Sequence, residues 1–151
     1  MRTILFLLLF PVTIYSQSLS VSPTSFKGWG QTPGMSELSV SYKNVSIHYF
    51  YVYRTYYGYY RHRGELVYAG HSQSTFAISY LPVSIYDIVR AGVMLSEKNF
   101  PLENGAKLNF WLEGGVDIGR FRISYVHISN GFGILHELNP GMDTIRFTVN
   151  L

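Results

Sequence analysis

The chain has 151 residues, no cysteine and thirteen tyrosines, and only 14% of its residues are charged, against 47% that are hydrophobic. This length allows one domain, and the hydrophobic content excludes intrinsic disorder. The absence of cysteine excludes disulfide scaffolds, cysteine-based zinc sites and thiol nucleophiles, and a net charge of +3 is too small to indicate a nucleic-acid partner.

The first sixteen residues have the layout of a secretory signal peptide. Arg2 gives a positive start, residues 4–10 are an unbroken apolar run, and Ser16 is a small residue at a suitable cleavage position. The apolar run is much shorter than the ~20 residues of a membrane-spanning helix. The alternative interpretation of this apolar run is a buried strand or helix at the start of the fold. We predict a signal peptide over residues 1–16 and a single exported domain over residues 17–151.

The remaining sequence alternates between apolar and polar residues with the period of a β-strand. In the last segment, for example, Ile145, Phe147 and Val149 share one face, while Arg146 and Thr148 lie on the other. The pattern predicts eight strands, with a possible ninth near residues 18–27. The eight are 36–43, 45–53, 64–71, 74–81, 86–95, 107–117, 120–130 and 143–151.

Two features favour a membrane barrel over a soluble barrel, in which the strands would also alternate. Charges lie on the polar faces of three successive strands, where they can neutralise one another in a closed lumen: Glu113, Asp117, Arg120, Arg122 and Arg146. Tyrosines concentrate at segment ends, where amphipathic rings would meet the membrane interfaces. These tyrosines are Tyr49, Tyr51, Tyr53, Tyr56, Tyr57, Tyr59 and Tyr60. The alternative interpretation is a tyrosine-rich loop that packs on itself or binds a partner. We therefore predict an all-β fold, an eight-stranded antiparallel transmembrane β-barrel of outer-membrane type.

The predicted connections alternate in length in the second half of the chain. Short connections at 82–85 and 118–119 alternate with long ones at 96–106 and 130–142. Bacterial barrels have short periplasmic turns and longer outside loops, which assigns the two long connections to the cell exterior. Residues 54–63 are too long for the turn that their position implies, so one predicted boundary or strand in that region must be wrong.

A candidate for chemistry lies where the last two strands meet the exterior. His127 and Ser129 are two residues apart and project to one side of a strand, and Asp143 begins the next strand in phase with its apolar face. A serine, a histidine and a carboxylate on one surface are the groups that carry out acyl transfer. Because H-x-S alone is not specific, polar strand ends in the lipid headgroup zone are the alternative.

Two motifs in this region together resemble a known family. The segments are His127-Ile128-Ser129-Asn130-Gly131 and Asn139-Pro140-Gly141-Met142-Asp143, followed by an alternating strand. They resemble the carboxyl-terminal signature of the lipid A 3-O-deacylases, the PagL-type outer-membrane acyl hydrolases. The resemblance covers roughly residues 100–151, and the earlier part of the chain matches only in its barrel-like character.

The resemblance implies hydrolysis of the ester-linked acyl chain at position 3 of lipid A, without a metal or another cofactor. Ser129 matches the family's nucleophile and His127 its base. Asp143 stands where the family has a glutamate, which is one methylene longer, and Glu137 in the preceding loop could supply the acid instead. Candidate oxyanion donors are Asn130, Gly131 and Asn139.

The implied partners are lipid A of lipopolysaccharide and the lipid of the bacterial outer membrane, with no nucleic acid. The oligomeric state stays open, a homodimer being one option. Two other functions also stay open: a small structural or adhesive outer-membrane barrel that keeps the motif without activity, and a secreted soluble β-barrel that binds an apolar ligand.

Other polar residues give weaker indications. His48, His62 and His71 are scattered, and we expect structural or exposed positions for them rather than metal ligation. Lys98 and Lys107 flank an exterior loop and could meet lipid phosphates, although a solvated loop is the commoner role for such lysines.

Overall fold

The computed structural model describes residues 17–23, 25–26, 35–52, 59–62, 65–68, 72–100, 106–129 and 142–151. No helix within these ranges is long and apolar enough to cross a membrane. The predicted signal peptide, residues 1–16, lies outside the described residues.

Eleven β-strands make up the regular structure of the described residues. They are β1 Gln17–Ser22, β2 Ser25–Phe26, β3 Met35–Tyr42, β4 Val45–Val52, β5 Tyr59–His62, β6 Glu65–Tyr68, β7 Gln73–Ile85, β8 Val89–Phe100, β9 Ala106–Ile118, β10 Phe121–Ser129 and β11 Met142–Asn150.

Eight of these strands close into an antiparallel barrel, in the order β1-β3-β4-β7-β8-β9-β10-β11. Closure comes from β1, which pairs with β11 from Ser18 opposite Asn150 to Val21 opposite Phe147. The short strand β2 pairs with the beginning of β11 on the same side. The predicted all-β fold with an eight-stranded antiparallel barrel is thereby confirmed.

The prediction was wrong about which two segments belong to the barrel and which do not. The segment 64–71 was counted among the eight, and 18–27 was only a possible ninth strand, yet β1 belongs to the barrel and β6 does not. Instead, β6 pairs with β5 in a separate two-stranded sheet. Alternation identifies a strand but not its partner, and here the partner is the immediately preceding segment. This hairpin also explains why 54–63 did not fit a turn.

The two ends of the barrel differ in the length of their connections. At one end, called here the short-turn end, residues 43–44, 86–88 and 119–120 link the strands. Lys43, Tyr86, Asp87 and Gly119 have positive φ angles there, as tight hairpin turns require. The other end, called here the long-connection end, carries 27–34, 53–72, 101–105 and 130–141.

The predicted alternation of lengths is therefore observed, with corrected boundaries. The predicted turn at 82–85 belongs to β7, which continues to Ile85, so the turn is 86–88. The predicted loop 96–106 was too long, because β8 continues to Phe100 and β9 begins at Ala106.

Alternate side chains face outward and inward around the barrel, as predicted. The outward face is mainly apolar; on β9 and β10 it carries Leu108, Phe110, Leu112, Val116, Phe121, Ile123 and Tyr125, all exposed. Of the tyrosines predicted at the interfaces, Tyr49 and Tyr51 are exposed on β4. The side chains of the other five lie outside the described residues.

Paired charges lie inside the lumen, toward the short-turn end. Arg122 donates from Nε to Glu113 Oε1 at 3.1 Å and from Nη1 to Asp117 Oδ2 at 2.8 Å. Arg146 donates from Nη1 to the other Glu113 oxygen at 3.3 Å, and its Nε lies 3.5 Å from Glu37 Oε1. The predicted neutralisation of lumenal charges is observed for these groups. Arg120 is the exception, because it lies exposed in the turn between β9 and β10.

A buried histidine extends this network across β4 and β7. His48 Nδ1 lies 2.8 Å from Glu37 Oε1, and His48 Nε2 lies 2.8 Å from Ser79 Oγ. Because the carboxylate accepts, Nδ1 donates to it and Nε2 accepts from the serine. The ring also stacks on Phe50 and contacts Trp111. The expectation of a structural or exposed position is confirmed for His48, which is buried.

Apolar side chains fill the lumen between this network and the long-connection end. They include Met35, Phe50, Val52, Met94, Phe100, Trp111, Val126, Ile128 and Met142, each at most 2% exposed. The lumen thus has a polar layer toward the short-turn end and an apolar layer toward the long-connection end.

We predict that Gly92→Ala destabilises the barrel strongly. A Cβ at Gly92 would lie 1.9 Å from the carbonyl oxygen of Tyr80 and 2.7 Å from Leu81 Cα, and backbone atoms cannot move aside cheaply. A Cβ at Gly114 would meet nothing within 4 Å, so Gly114→Ala is the matched control. Urea titration in detergent micelles should show a lower midpoint for Gly92→Ala alone, and equal midpoints would contradict the prediction.

We also predict that Arg122→Gln lowers the free energy of unfolding by about 3–5 kcal/mol, the usual effect of removing one partner from a buried ion pair. The substitution leaves Glu113, which is 2% exposed, with Arg146 as the remaining ion-pair partner among the described residues. Arg120→Gln makes the same chemical change at an exposed turn position and should be nearly neutral. A similar loss in both variants, measured by the same titration, would argue against the network's role.

Candidate active site on the outward face

His127 and Asp143 are directly opposite each other on the adjacent strands β10 and β11. Both lie near the long-connection end, because β10 ends at Ser129 and β11 begins at Met142. Odd-numbered residues of both strands face outward, so the pair interrupts an otherwise apolar surface. Cβ atoms of directly opposed residues are ~4.5–5.5 Å apart, within the reach of a short carboxylate side chain.

A hydrogen bond joins the two side chains. His127 Nδ1 lies 2.7 Å from Asp143 Oδ1, and since the carboxylate accepts, Nδ1 carries the proton. In the neutral form of the ring, Nε2 is then the acceptor. The histidine side chain is 37% exposed and the aspartate 17%, so the imidazole is accessible while the carboxylate is mostly covered.

Tyr125 is a third member of this cluster, and its role was not predicted from the sequence. Its hydroxyl donates to Asp143 Oδ1, the same oxygen that accepts from His127. Tyr125 pairs with Ile145, which makes Asp143 its diagonal neighbour, and a long aromatic side chain can span that separation. Its position two residues before His127 on the same face is the available signal in the sequence, but the same alternation is typical of any outward-facing aromatic residue.

Ser129 lies beyond His127 on the same face of β10 and is opposite Phe110 of β9. The side chain is half-buried. Within the described residues, no hydrogen bond links Ser129 Oγ to His127 Nε2. The strand thus brings the predicted serine to the histidine's side, but only the histidine and the carboxylate are in contact. Catalytic hydrogen bonds are often long in ligand-free enzymes and tighten with substrate.

The remaining predicted site residues cannot be placed. Asn130, Gly131 and Asn139, the candidate oxyanion donors, and Glu137, the alternative acid, lie outside the described residues.

The lumen holds a second serine–histidine–carboxylate set, formed by Ser79, His48 and Glu37. Both of its hydrogen bonds are 2.8 Å long, and the three side chains are at most 1% exposed. A nucleophile with no exposed surface cannot meet a substrate, so this set is part of the structural network. Strand parity could have placed Glu37 and His48 inside, although their contact depends on the register of β3 and β4.

The described residues line a cavity at each end of the barrel. A polar vestibule of about 330 Å³ enters the lumen at the short-turn end and reaches Glu113 and Arg146. A shallow groove of about 500 Å³ lies at the long-connection end, beside Lys98 and Lys107. No group of three or more histidines and carboxylates with metal-binding geometry occurs in the described part of the chain.

Comparison with known proteins identifies no relative, since no family model, curated protein or solved structure matches the chain.

Proposed function

We propose that this chain is an outer-membrane esterase that removes the 3-O-linked acyl chain from lipid A of lipopolysaccharide. Ser129 is the nucleophile, His127 the general base and Asp143 the acid that orients the histidine. The observation that carries the proposal is the 2.7 Å contact between His127 Nδ1 and Asp143 Oδ1 on the outward face. That contact fixes the imidazole tautomer that a general base needs.

The distribution of side chains supports a membrane location. A soluble barrel would bury its apolar face in the interior, whereas here Phe76, Ile78, Leu95 and Phe121 are more than half exposed on the outside. Buried charges occupy the lumen, as in outer-membrane barrels. Tyr42 and Tyr80 near the short-turn end, and Tyr49 and Tyr51 nearer the long-connection end, supply amphipathic rings at two levels.

The position of the cluster supports lipid A as the substrate. A side chain on the outward face of a membrane barrel meets acyl chains and headgroups, not water-soluble molecules. His127, Ser129 and Asp143 lie near the long-connection end, which is the exterior side in bacterial barrels. The ester of an outer-leaflet lipid would reach the same level, between the hydrocarbon and the headgroup.

The proposed mechanism proceeds through an acyl-enzyme. Ser129 Oγ attacks the ester carbonyl carbon while its proton passes to His127 Nε2, and Asp143 stabilises the resulting imidazolium. Collapse of the tetrahedral intermediate breaks the bond to the sugar oxygen, which takes that proton from Nε2. Water then attacks the acyl-enzyme with His127 again as base, which releases the fatty acid and restores Ser129.

The shorter acid is compatible with this mechanism. The family that the motif resembles has a glutamate at this position, but Asp143 is directly opposite His127 and already reaches Nδ1. Tyr125 donates to the same carboxylate oxygen. Its hydroxyl thus helps to satisfy a charge that faces an apolar environment, where an unpaired carboxylate would be costly.

A structural or adhesive barrel without activity is the second candidate. It is favoured by one observation, the lack of a hydrogen bond between Ser129 and His127 in the described residues. The decisive evidence is therefore the chemistry of lipid A itself.

We predict that cells expressing the chain lose one 3-hydroxyacyl group from lipid A, as seen by mass spectrometry. Ser129→Ala and His127→Ala should each reduce the rate by about 10³-fold or more. The control is Ser124→Ala, which removes a hydroxyl on the same strand that faces the lumen and has no hydrogen-bond partner. Heat-modifiable migration in detergent gels verifies that each variant is a folded barrel. Unchanged lipid A with a folded, inserted wild-type barrel would refute the enzymatic function.

A second set of variants identifies the acid. Asp143→Asn should lower the rate by roughly 10³- to 10⁴-fold because it removes the acceptor that fixes the histidine tautomer, while Glu137→Gln should have little effect. Tyr125→Phe, which removes a single hydroxyl, should lower the turnover number by about tenfold with little change in KM. If Glu137→Gln abolishes activity and Asp143→Asn does not, the carboxylate in the loop is the acid.

A further inference from the structure

We propose that the groove formed by Lys98 and Lys107 at the long-connection end binds a phosphate group of the lipid A headgroup. This inference rests on the proposed function, because it concerns the same substrate. It assigns a role to two lysines for which the sequence alone favoured a solvated loop.

A wide bulge in β8 creates the groove. Leu95 is opposite Leu108, and Phe100 is opposite Ala106. Four residues of β8, 96–99, therefore face Lys107 alone on β9. Bulges of this kind redirect side chains at the rims of barrels, and this one brings Lys98 next to Lys107.

One buried hydroxyl contacts the main chain of both lysines. The hydroxyl of Ser96, which is 3% exposed, lies 2.7 Å from the main-chain oxygen of Lys98 and 3.1 Å from that of Lys107, so its single hydrogen is shared between these two acceptors. The backbone nitrogen of Lys98 donates to Thr75 Oγ1 at 3.1 Å. Both lysines thus start from a fixed backbone, unlike lysines on an unsupported loop.

The ammonium groups keep donors for a ligand. Lys98 Nζ donates to the main-chain oxygen of Ser74 at 2.9 Å, and since an ammonium has three donors, two of them have no acceptor among the described residues. Neither lysine forms a salt bridge with a described residue. Glu97 is the acidic residue among the described residues that line the groove, so these residues together carry +2 from the lysines and −1 from the glutamate, or +1. A phosphate group carries about −1.5 to −2 charges at neutral pH.

The groove lies at the right level for the headgroup of a lipid whose ester meets Ser129. Ser129 is opposite Phe110 on β9, and Lys107 is three residues beyond Phe110 toward the long-connection end. This odd offset puts Lys107 in phase with the lumen-facing Asn109 rather than with the outward Phe110, so it lies at the rim and not on the outward face. At ~3.4 Å per residue, Lys107 is about 10 Å beyond the serine, on the neighbouring strand. In lipid A, the 3-O-linked ester and a phosphate are substituents of the same sugar ring, so a headgroup that lies over the rim can reach both.

The test measures binding rather than hydrolysis, so that it does not depend on catalysis. The full chain carrying Ser129→Ala is titrated in detergent micelles with bisphosphorylated lipid A and with dephosphorylated lipid A. We expect about tenfold tighter binding of the bisphosphorylated form, with a preference that declines as salt is added. In the same background, Lys98→Gln together with Lys107→Gln should abolish the preference. Lys43→Gln, at the short-turn end, should leave it unchanged.

A variant that is expected to strengthen binding tests whether weaker binding in the lysine variants results from loss of folding. Glu97→Gln removes the negative charge from the groove and should strengthen binding of bisphosphorylated lipid A by about threefold, which a damaged protein would not do. The phosphate site would be overturned if the double lysine variant kept the parent's preference for bisphosphorylated lipid A, or if the Ser129→Ala parent had no such preference. Wild-type hydrolysis is scored separately, so failure of the enzymatic function and failure of this site give different results.

Discussion

The buried charge network in the lumen is the interaction on which the rest of the structure depends. Glu113 lies between Arg122 and Arg146, and Arg146 also approaches Glu37. Charges in a low-dielectric interior are tolerated only when they are paired, and these pairs connect β3, β9, β10 and β11. Because side chains alternate with period two, holding these residues inside commits every second residue to the outside. The outward apolar surface and the outward position of His127 are both consequences.

The faces of the strands could be predicted from the sequence because parity is a local property. Arg122 and Arg146 were expected in the lumen, and they lie there. Pairing is not local. The predicted strand 64–71 contains β6, but its partner β5 lies just before it, while the weaker segment 18–27 supplied β1, which pairs with β11 at the far end of the chain. Glu37 and His48 meet only because β3 and β4 adopt a particular register, which no single segment contains.

The candidate site divides in the same way. Parity placed His127, Ser129 and Asp143 on one face, but the direct opposition of His127 and Asp143 depends on the register of β10 and β11. The length of the connection between these strands does not determine that register. Tyr125 could not be distinguished from other outward aromatic residues for the same reason. Once the register is known, it becomes the diagonal neighbour of the carboxylate, and its hydroxyl has one obvious acceptor.

The two serine–histidine–carboxylate sets differ in burial, and burial decides whether a substrate could reach them. In the lumen, Ser79, His48 and Glu37 are fully hydrogen-bonded, and that completeness stabilises the core but leaves no surface for a substrate. On the outside, the bond between His127 and Asp143 is formed while Nε2 stays accessible. Both members lie on strands of a closed barrel, so the hydrogen-bonded register sets their geometry more firmly than a loop could. Under the proposed mechanism, Ser129 must still approach His127 by side-chain rotation, and a bound ester would provide the interaction that favours this approach.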